Sequence, residues 1–169
     1  MADPTPSQPG PGSSRHVRQF RSSRGRRVGD AIIGVFVRAG LVPSTYMLTT
    51  TGRRTGRPLT HPATVVQHEG QRWLVAPYGV VSWVRNARAA GRVRLARRGD
   101  RRDYAIREVS AAEAGPVLKR YVAVATATRP YFAADMDAPV EDFVAEADRH
   151  PVFELVAIDE ERPDGERGR

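Results

Sequence analysis

Between Thr45 and Val109 the sequence falls into short runs of β-branched, aromatic and alternating residues, each closed by a turn that contains glycine. This punctuation confines the segment to short strands. Thr45 to Thr51 (TYMLTTT) is β-branched and aromatic. Leu59 to His68 (LTHPATVVQH) follows a Gly-rich loop, and Arg72 to Ala76 (RWLVA) follows Glu69-Gly70. Connections this short join antiparallel neighbours, so the three runs read as a meander. Ser82 is expected to cap a short helix from Trp83 to Ala90, with Gly91 in the C-terminal stop position. Two further strands, Arg92 to Arg97 and Arg102 to Val109, flank a predicted Gly99-Asp100 hairpin turn.

After these strands the period lengthens. Ser110 and Glu113 form a capping-box pattern, and Val117, Leu118, Tyr121, Val122 and Ala125 continue a helical face, which Gly115-Pro116 is expected to kink or restart. Another helix should begin near Pro139, with Glu141 and Asp142 in its first turn, and Pro151 to Ile158 closes as a last strand. Six short, mostly antiparallel strands predict an α+β fold, a small barrel with helical additions. One helix follows the third strand and the others gather toward the end. A parallel βαβ arrangement does not fit this order.

Three segments follow. Residues 1–27 carry prolines, glycines, serines and six arginines with few apolar side chains, a composition that reads as a disordered basic arm. Residues 28–158 form the domain, and residues 159–169 a charged tail. Val28 to Leu41 has Ile32, Val35, Phe36 and Ala39 at helical spacing. This helix is expected to pack on the body of the domain; arm and helix together could instead rest on an anionic membrane surface, so the expected location is cytoplasmic, with peripheral membrane contact as the alternative. The run Ala31 to Val42 contains Arg38 and is shorter than a bilayer span of ~20 residues.

Charge is distributed unevenly. The net charge is +8, nearly all of the cation is arginine, and residues 31–108 hold fourteen arginines against four acids, whereas residues 109–169 are net acidic. Guanidinium forks suit phosphate and carboxylate partners. No RNA-recognition or helix-turn-helix pattern accompanies them, so specific nucleic-acid binding is not expected. With no cysteine there is no thiol nucleophile or thiolate metal site. His61 and His68, seven apart on one strand, point to opposite faces, and no metal site is predicted. No Gly-x-Ser-x-Gly elbow is present.

The loop Gly52-Arg53-Arg54-Thr55-Gly56-Arg57-Pro58 is the informative segment. Its glycines stand too close for a Walker A loop, and Arg57-Pro58 occupies the place of Lys and Ser/Thr. Two glycines, exposed N–H groups, a hydroxyl and three arginine forks can cradle an anion, or can form an ordinary charged hairpin. A second element is Ala76-Pro77-Tyr78-Gly79 followed by Ser82-Trp83-x-x-Asn86, where a strand hands over to a helix N-terminus. Trp83 reads as core. Asn86, a poor choice for a helix interior, calls for a hydrogen bond to a loop or a ligand.

The run Met47 to Pro58 with Pro62, the Trp83-x-x-Asn86 spacing and the closing His150-Pro151-Val152-Phe153 resemble the deazaflavin-dependent nitroreductase family of actinobacteria, over roughly Val28 to Ile158. The resemblance implies a six-stranded split β-barrel like that of FMN-binding proteins, and reduction of a quinone-like or nitroaromatic acceptor with reduced coenzyme F-420. The same barrel could instead take FMN, haem or a lipid. Carried over by position, Gly52, Arg53, Arg54, Thr55, Gly56 and Arg57 would hold the phosphate and acidic tail. Pro62, Ala76, Tyr78, Gly79, Trp83 and Asn86 would line the deazaflavin pocket. Tyr131, in a late Arg-Pro-Tyr-Phe segment, is the expected proton donor or acceptor-positioning residue. The family likeness also implies a small-molecule acceptor and a homodimer. Leu59, His61 and the short connection from Gly79 to Trp83 depart from the family pattern, at positions that bear on the cofactor ring rather than on its phosphate.

Overall fold

Alternation of side chains along six strands lets one sheet serve two cores, and this determines the architecture. In the computed structural model, residues 44–158 are described; the basic arm, the helix expected over Val28–Leu41 and the tail from residue 159 lie outside them. The strands are β1 (Thr45–Thr51), β2 (Pro58–His68), β3 (Gln71–Val75), β4 (Arg92–Arg97), β5 (Asp100–Glu108) and β6 (Val152–Ala157). They close a barrel in the order β1-β2-β3-β6-β5-β4, every pairing antiparallel, and β4 returns to β1 through Met47–Ala96, Leu48–Leu95 and Thr49–Arg94. The predicted α+β barrel is present.

Val65 and Leu74 point inward to join Leu48, Val93, Leu95 and Phe153. Their neighbours Val66, Trp73 and Val75 point outward and are covered by the helices. Helix α1 (Ser82–Ala90) plugs one end of the barrel with Val84 and Ala87, both fully buried. Helices α2 (Ala111–Val124) and α3 (Val140–Glu146) pack on the outer face through Val117, Leu118, Val122 and Phe143.

Local chemistry sets the boundaries. The Ser110–Glu113 capping box opens α2, with Ser110 accepting from the Glu113 N–H and Glu113 accepting from the Ser110 N–H. Gly91 ends α1 in the left-handed conformation at φ 65°.

Three sequence expectations are corrected. Ser82 is the first residue of α1 rather than its cap; Val81 holds the cap position with extended backbone, and no side chain caps the helix. The β4–β5 turn is centred on Arg98 and Gly99, at φ 53° and 85°, because Arg97 pairs with Asp100. Two left-handed central residues match the twist of the strands better than a turn placed one residue later. Pro116 does not restart α2, which runs unbroken from Ala111 to Val124. It lies near the N-terminus of α2, and the carbonyl it leaves unpartnered belongs to exposed Ala112, where water can reach it. Gly115 has a packing purpose: a Cβ there would stand 2.5 Å from Val144 Cγ2, so the α2–α3 crossing requires its absence.

Candidate functional site

Register gives the principal cleft its direction. In the β1–β2 hairpin Thr45 faces Thr64, and Thr51 faces Pro58 at the far end, beside the Gly/Arg loop. A cleft of about 730 Å³ follows this hairpin, touching Thr45 and Thr64 at one end and Thr50 and Leu59 at the other. Leu59 and Thr64 stand five positions apart on β2, so at ~3.4 Å per residue the cleft runs roughly 17 Å along the strand. Its walls come from β2, the 77–83 segment, α1 and α2, and most of its surface is apolar.

At the loop end, Gly52 N–H bonds to Arg57 O at 2.8 Å and Gly56 N–H to Gly52 O at 2.7 Å, closing residues 52–57 into a tight turn. Gly56 sits at φ 66°, and a Cβ on Gly52 would meet Thr55 Oγ1 at 2.9 Å and Arg57 O at 3.1 Å. The Arg57 N–H turns inward to Thr55 Oγ1 at 3.4 Å. The turn leaves Arg53, Arg54 and Arg57 exposed, and among the described residues no carboxylate pairs with any of them.

Asn86 joins this loop to the cleft. Its side chain is buried within α1, and Oδ1 accepts from both the backbone N–H of Arg53, at 3.2 Å, and Arg53 Nη1, at 3.1 Å. The loop partner expected for Asn86 is therefore Arg53. One turn earlier on the same helix, Trp83 is partly buried, with its ring 5.9 Å from Phe153 and 6.0 Å from His61. It lines the cleft with Pro62, His61 and Asn86. Thr50 also lines it; its hydroxyl is buried with no hydrogen-bond partner among the described residues. A buried polar atom left open to a cavity is a place for a ligand group or an ordered water.

The opposite end carries hydroxyls and aromatic rings. Tyr121, on α2, lines the cleft with its phenol against the Thr64 and Thr128 hydroxyls. Burial pushes the Tyr121 phenol up to about 12, so it keeps its proton throughout the physiological range. Tyr78 stands on the rim, and Tyr131 meets it edge-on with ring centroids 4.7 Å apart. Tyr131 thus touches a cleft residue instead of forming the wall itself. Ala76 is fully buried in the barrel core and holds its place through an N–H bond to Pro151 O at 2.9 Å. Gly79, at φ 76°, supports the turn after it.

The structure therefore gathers Pro62, Tyr78, Trp83 and Asn86 on one cleft, sets the 52–57 loop at its end, and assigns Ala76 and Gly79 to the backing. Sequence reading missed Thr50, Thr64, Thr128 and Tyr121 as lining residues. Tyr121 carried one available signal: a tyrosine at a core position brings a hydroxyl that must find partners. Among the described residues no group of three His, Asp or Glu is placed to hold a metal ion, and no helix is long and apolar enough to cross a membrane.

A family model described as F420H(2)-dependent quinone reductase matches residues 14–144. No curated protein matches the chain. Among solved structures, the protein Atu2129 of unknown function from Agrobacterium tumefaciens str. C58 superposes with a TM-score of 0.51 at 16% identity. That alignment covers 83% of this chain and 58% of the other, so this chain spans little more than half of that relative. An F420-H2 dependent reductase (FDR-A) aligns at 23% identity and a TM-score of 0.43, over 67% of this chain and 94% of its own. A heme binding protein from Mycobacterium smegmatis aligns at 12% identity and 0.48, over 70% and 48%.

Proposed function

The chain belongs to the F420H(2)-dependent quinone reductase family, and on that premise we propose that it is an oxidoreductase whose cleft takes reduced coenzyme F-420 together with a planar quinone-like or nitroaromatic acceptor. The observation that carries the reading is the set of arginines, without a carboxylate partner among the described residues, at one end of an apolar cleft and joined to it by Asn86. The residues fit the cofactor's chemistry. An anionic phosphate and carboxylate tail suits the guanidinium forks of Arg53, Arg54 and Arg57, and a flat ring suits the walls made by Pro62, His61 and Trp83. When bound, the reduced deazaflavin supplies the hydride, and the protein supplies position and electrostatics.

Each residue then has a physical task. Asn86 fixes the direction of Arg53, limiting the entropy lost when the loop meets an anion. The apolar walls exclude water and strengthen polar contacts made inside them. At the far end the Tyr121 phenol, kept protonated by burial, offers a neutral O–H group to an acceptor carbonyl, with Thr64 and Thr128 orienting it. Tyr131, held edge to ring against the rim residue Tyr78, is the candidate donor of the proton that accompanies the hydride.

Titration of the purified protein with oxidised coenzyme F-420, followed by fluorescence quenching at low and moderate salt, tests the reading. Saturation at micromolar coenzyme, weakened by salt, is expected. No saturable binding overturns it, as does tighter binding of FMN under the same conditions.

A further inference from the structure

We propose that the buried Glu146–His150 pair positions the aromatic rim of the cleft, holding Tyr78 and Tyr131 edge to edge from two segments distant in the sequence. The proposal rests on reading the cleft as the reductase site. Glu146, at the end of α3, is 2% exposed, and its carboxylate accepts the backbone N–H groups of Ala133, at 2.9 Å, and Ala134, at 3.2 Å. These follow Tyr131 by two and three residues, so the carboxylate anchors the segment that carries it. Arg149 Nη2 closes on the same oxygen at 3.1 Å, and His150 Nε2 stands 3.6 Å from it.

His150 connects this anchor to the other half of the rim. It is 4% exposed and stacks on Phe132, the residue after Tyr131, with centroids 4.1 Å apart and planes 24° apart. Its ring also faces the backbone carbonyls of Ala76 and Pro77, just before Tyr78, and neither ring nitrogen completes a close hydrogen bond. The chain on either side repeats the contact: Pro151 O accepts the Ala76 N–H, and a Cβ on Gly79 would stand 3.2 Å from Arg149 O. Residues 146–151 therefore grip both rim segments at once, and Tyr78 meets Tyr131 where the two are held. An apolar side chain would fill the space of Glu146 at a lower desolvation cost. A carboxylate accepting two backbone N–H groups fixes a loop's direction, which packing alone does not.

The test labels tyrosine in the full-length protein with 3-fluorotyrosine. The fluorine resonances of Tyr78 and Tyr131, assigned by single Tyr→Phe changes, are read without cofactor. Glu146→Gln and His150→Ala should move both resonances toward the unstructured value. With reduced coenzyme and a soluble naphthoquinone, the acceptor KM should rise about five- to tenfold and kcat change less, while coenzyme affinity stays within about twofold because the 52–57 loop is untouched. Should Glu146→Gln not fold, Phe132→Leu, which removes the stack and keeps an apolar side chain, is read the same way. Folded variants with unmoved resonances and an unchanged acceptor KM overturn the proposal. Failure of the unaltered protein to bind coenzyme overturns the reading of the cleft instead, and the cofactor-free resonances still decide the positioning.

Discussion

On the β4–β5 side of the barrel, Arg94 meets Asp103 at 2.6 Å, Arg88 meets Glu108 at 2.6 Å, and Arg107 bridges Glu113 and Glu154 at 2.9 and 2.7 Å. In the β1–β2 loop, Arg53, Arg54 and Arg57 meet no carboxylate among the described residues, and the one polar side chain that receives Arg53 is the neutral Asn86. The same residue type, drawn from the same strongly basic stretch of sequence, is neutralised in one region and meets no carboxylate among the described residues in the other. Net charge therefore says little about this protein. Local pairing separates arginines that meet carboxylates from arginines that, among the described residues, meet none.

The most severe way to break this contrast is the double change Arg53→Ala/Arg54→Ala. Each charge-assisted contact contributes ~1.5–3 kcal/mol, so coenzyme affinity should fall by about a hundredfold or more, with the melting temperature unchanged. Fluorescence titration beside a thermal melt measures both. Asn86→Ala comes next. It leaves the Arg53 N–H without its acceptor and should cost ~1–2 kcal/mol of stability and about a tenfold loss of affinity, visible in denaturant unfolding and the same titration.

Acidification should separate the two quantities again. Burial holds the His150 imidazole below its ordinary value. The neutral ring's contribution to stability is thus fully present above the unfolded value of about 6.5 and is lost as pH falls from there through the folded value. Melts between neutral pH and mildly acidic pH should drop while coenzyme affinity holds, since His150 supports the tyrosine rim at the opposite end of the cleft from the 52–57 loop. Replacement of His150 by Phe should flatten that dependence. The smallest effect belongs to the paired set: Arg94→Ala should change stability by ~0–1 kcal/mol, because the pair is largely solvent-exposed, and should leave coenzyme affinity untouched.

Much of this was legible in residue order. β-Branched and aromatic runs bounded by turn residues marked all six strands to within two residues of their ends, because both signals lie within a few neighbouring positions. Gly91 and the Ser110–Glu113 box marked helix ends through chemistry confined to a few neighbouring residues. Asn86 was legible as a misfit, and the structure supplies its partner thirty-three residues earlier. Other features depend on contacts between distant segments. Tyr121 lies on a helical stripe that reads as core, and the cleft it lines is completed by Thr64 and Thr128 from other segments. Glu146 looks like one more acid in an acidic stretch until α3 brings it beneath the 133–134 backbone. Thr50 is one of three consecutive threonines, and strand parity alone does not say which of them faces a cleft.

Closure of the barrel is uneven along its longest strand. β2 bonds to β1 from Pro58 to Thr64 and to β3 only from Val65 to His68, so among the described residues its first seven residues have a strand neighbour on one edge alone. Five of those seven, Leu59, His61, Pro62, Ala63 and Thr64, line the cleft. The cleft thus opens where the ladder is single, and the seam of the barrel and the mouth of the site are the same stretch of chain.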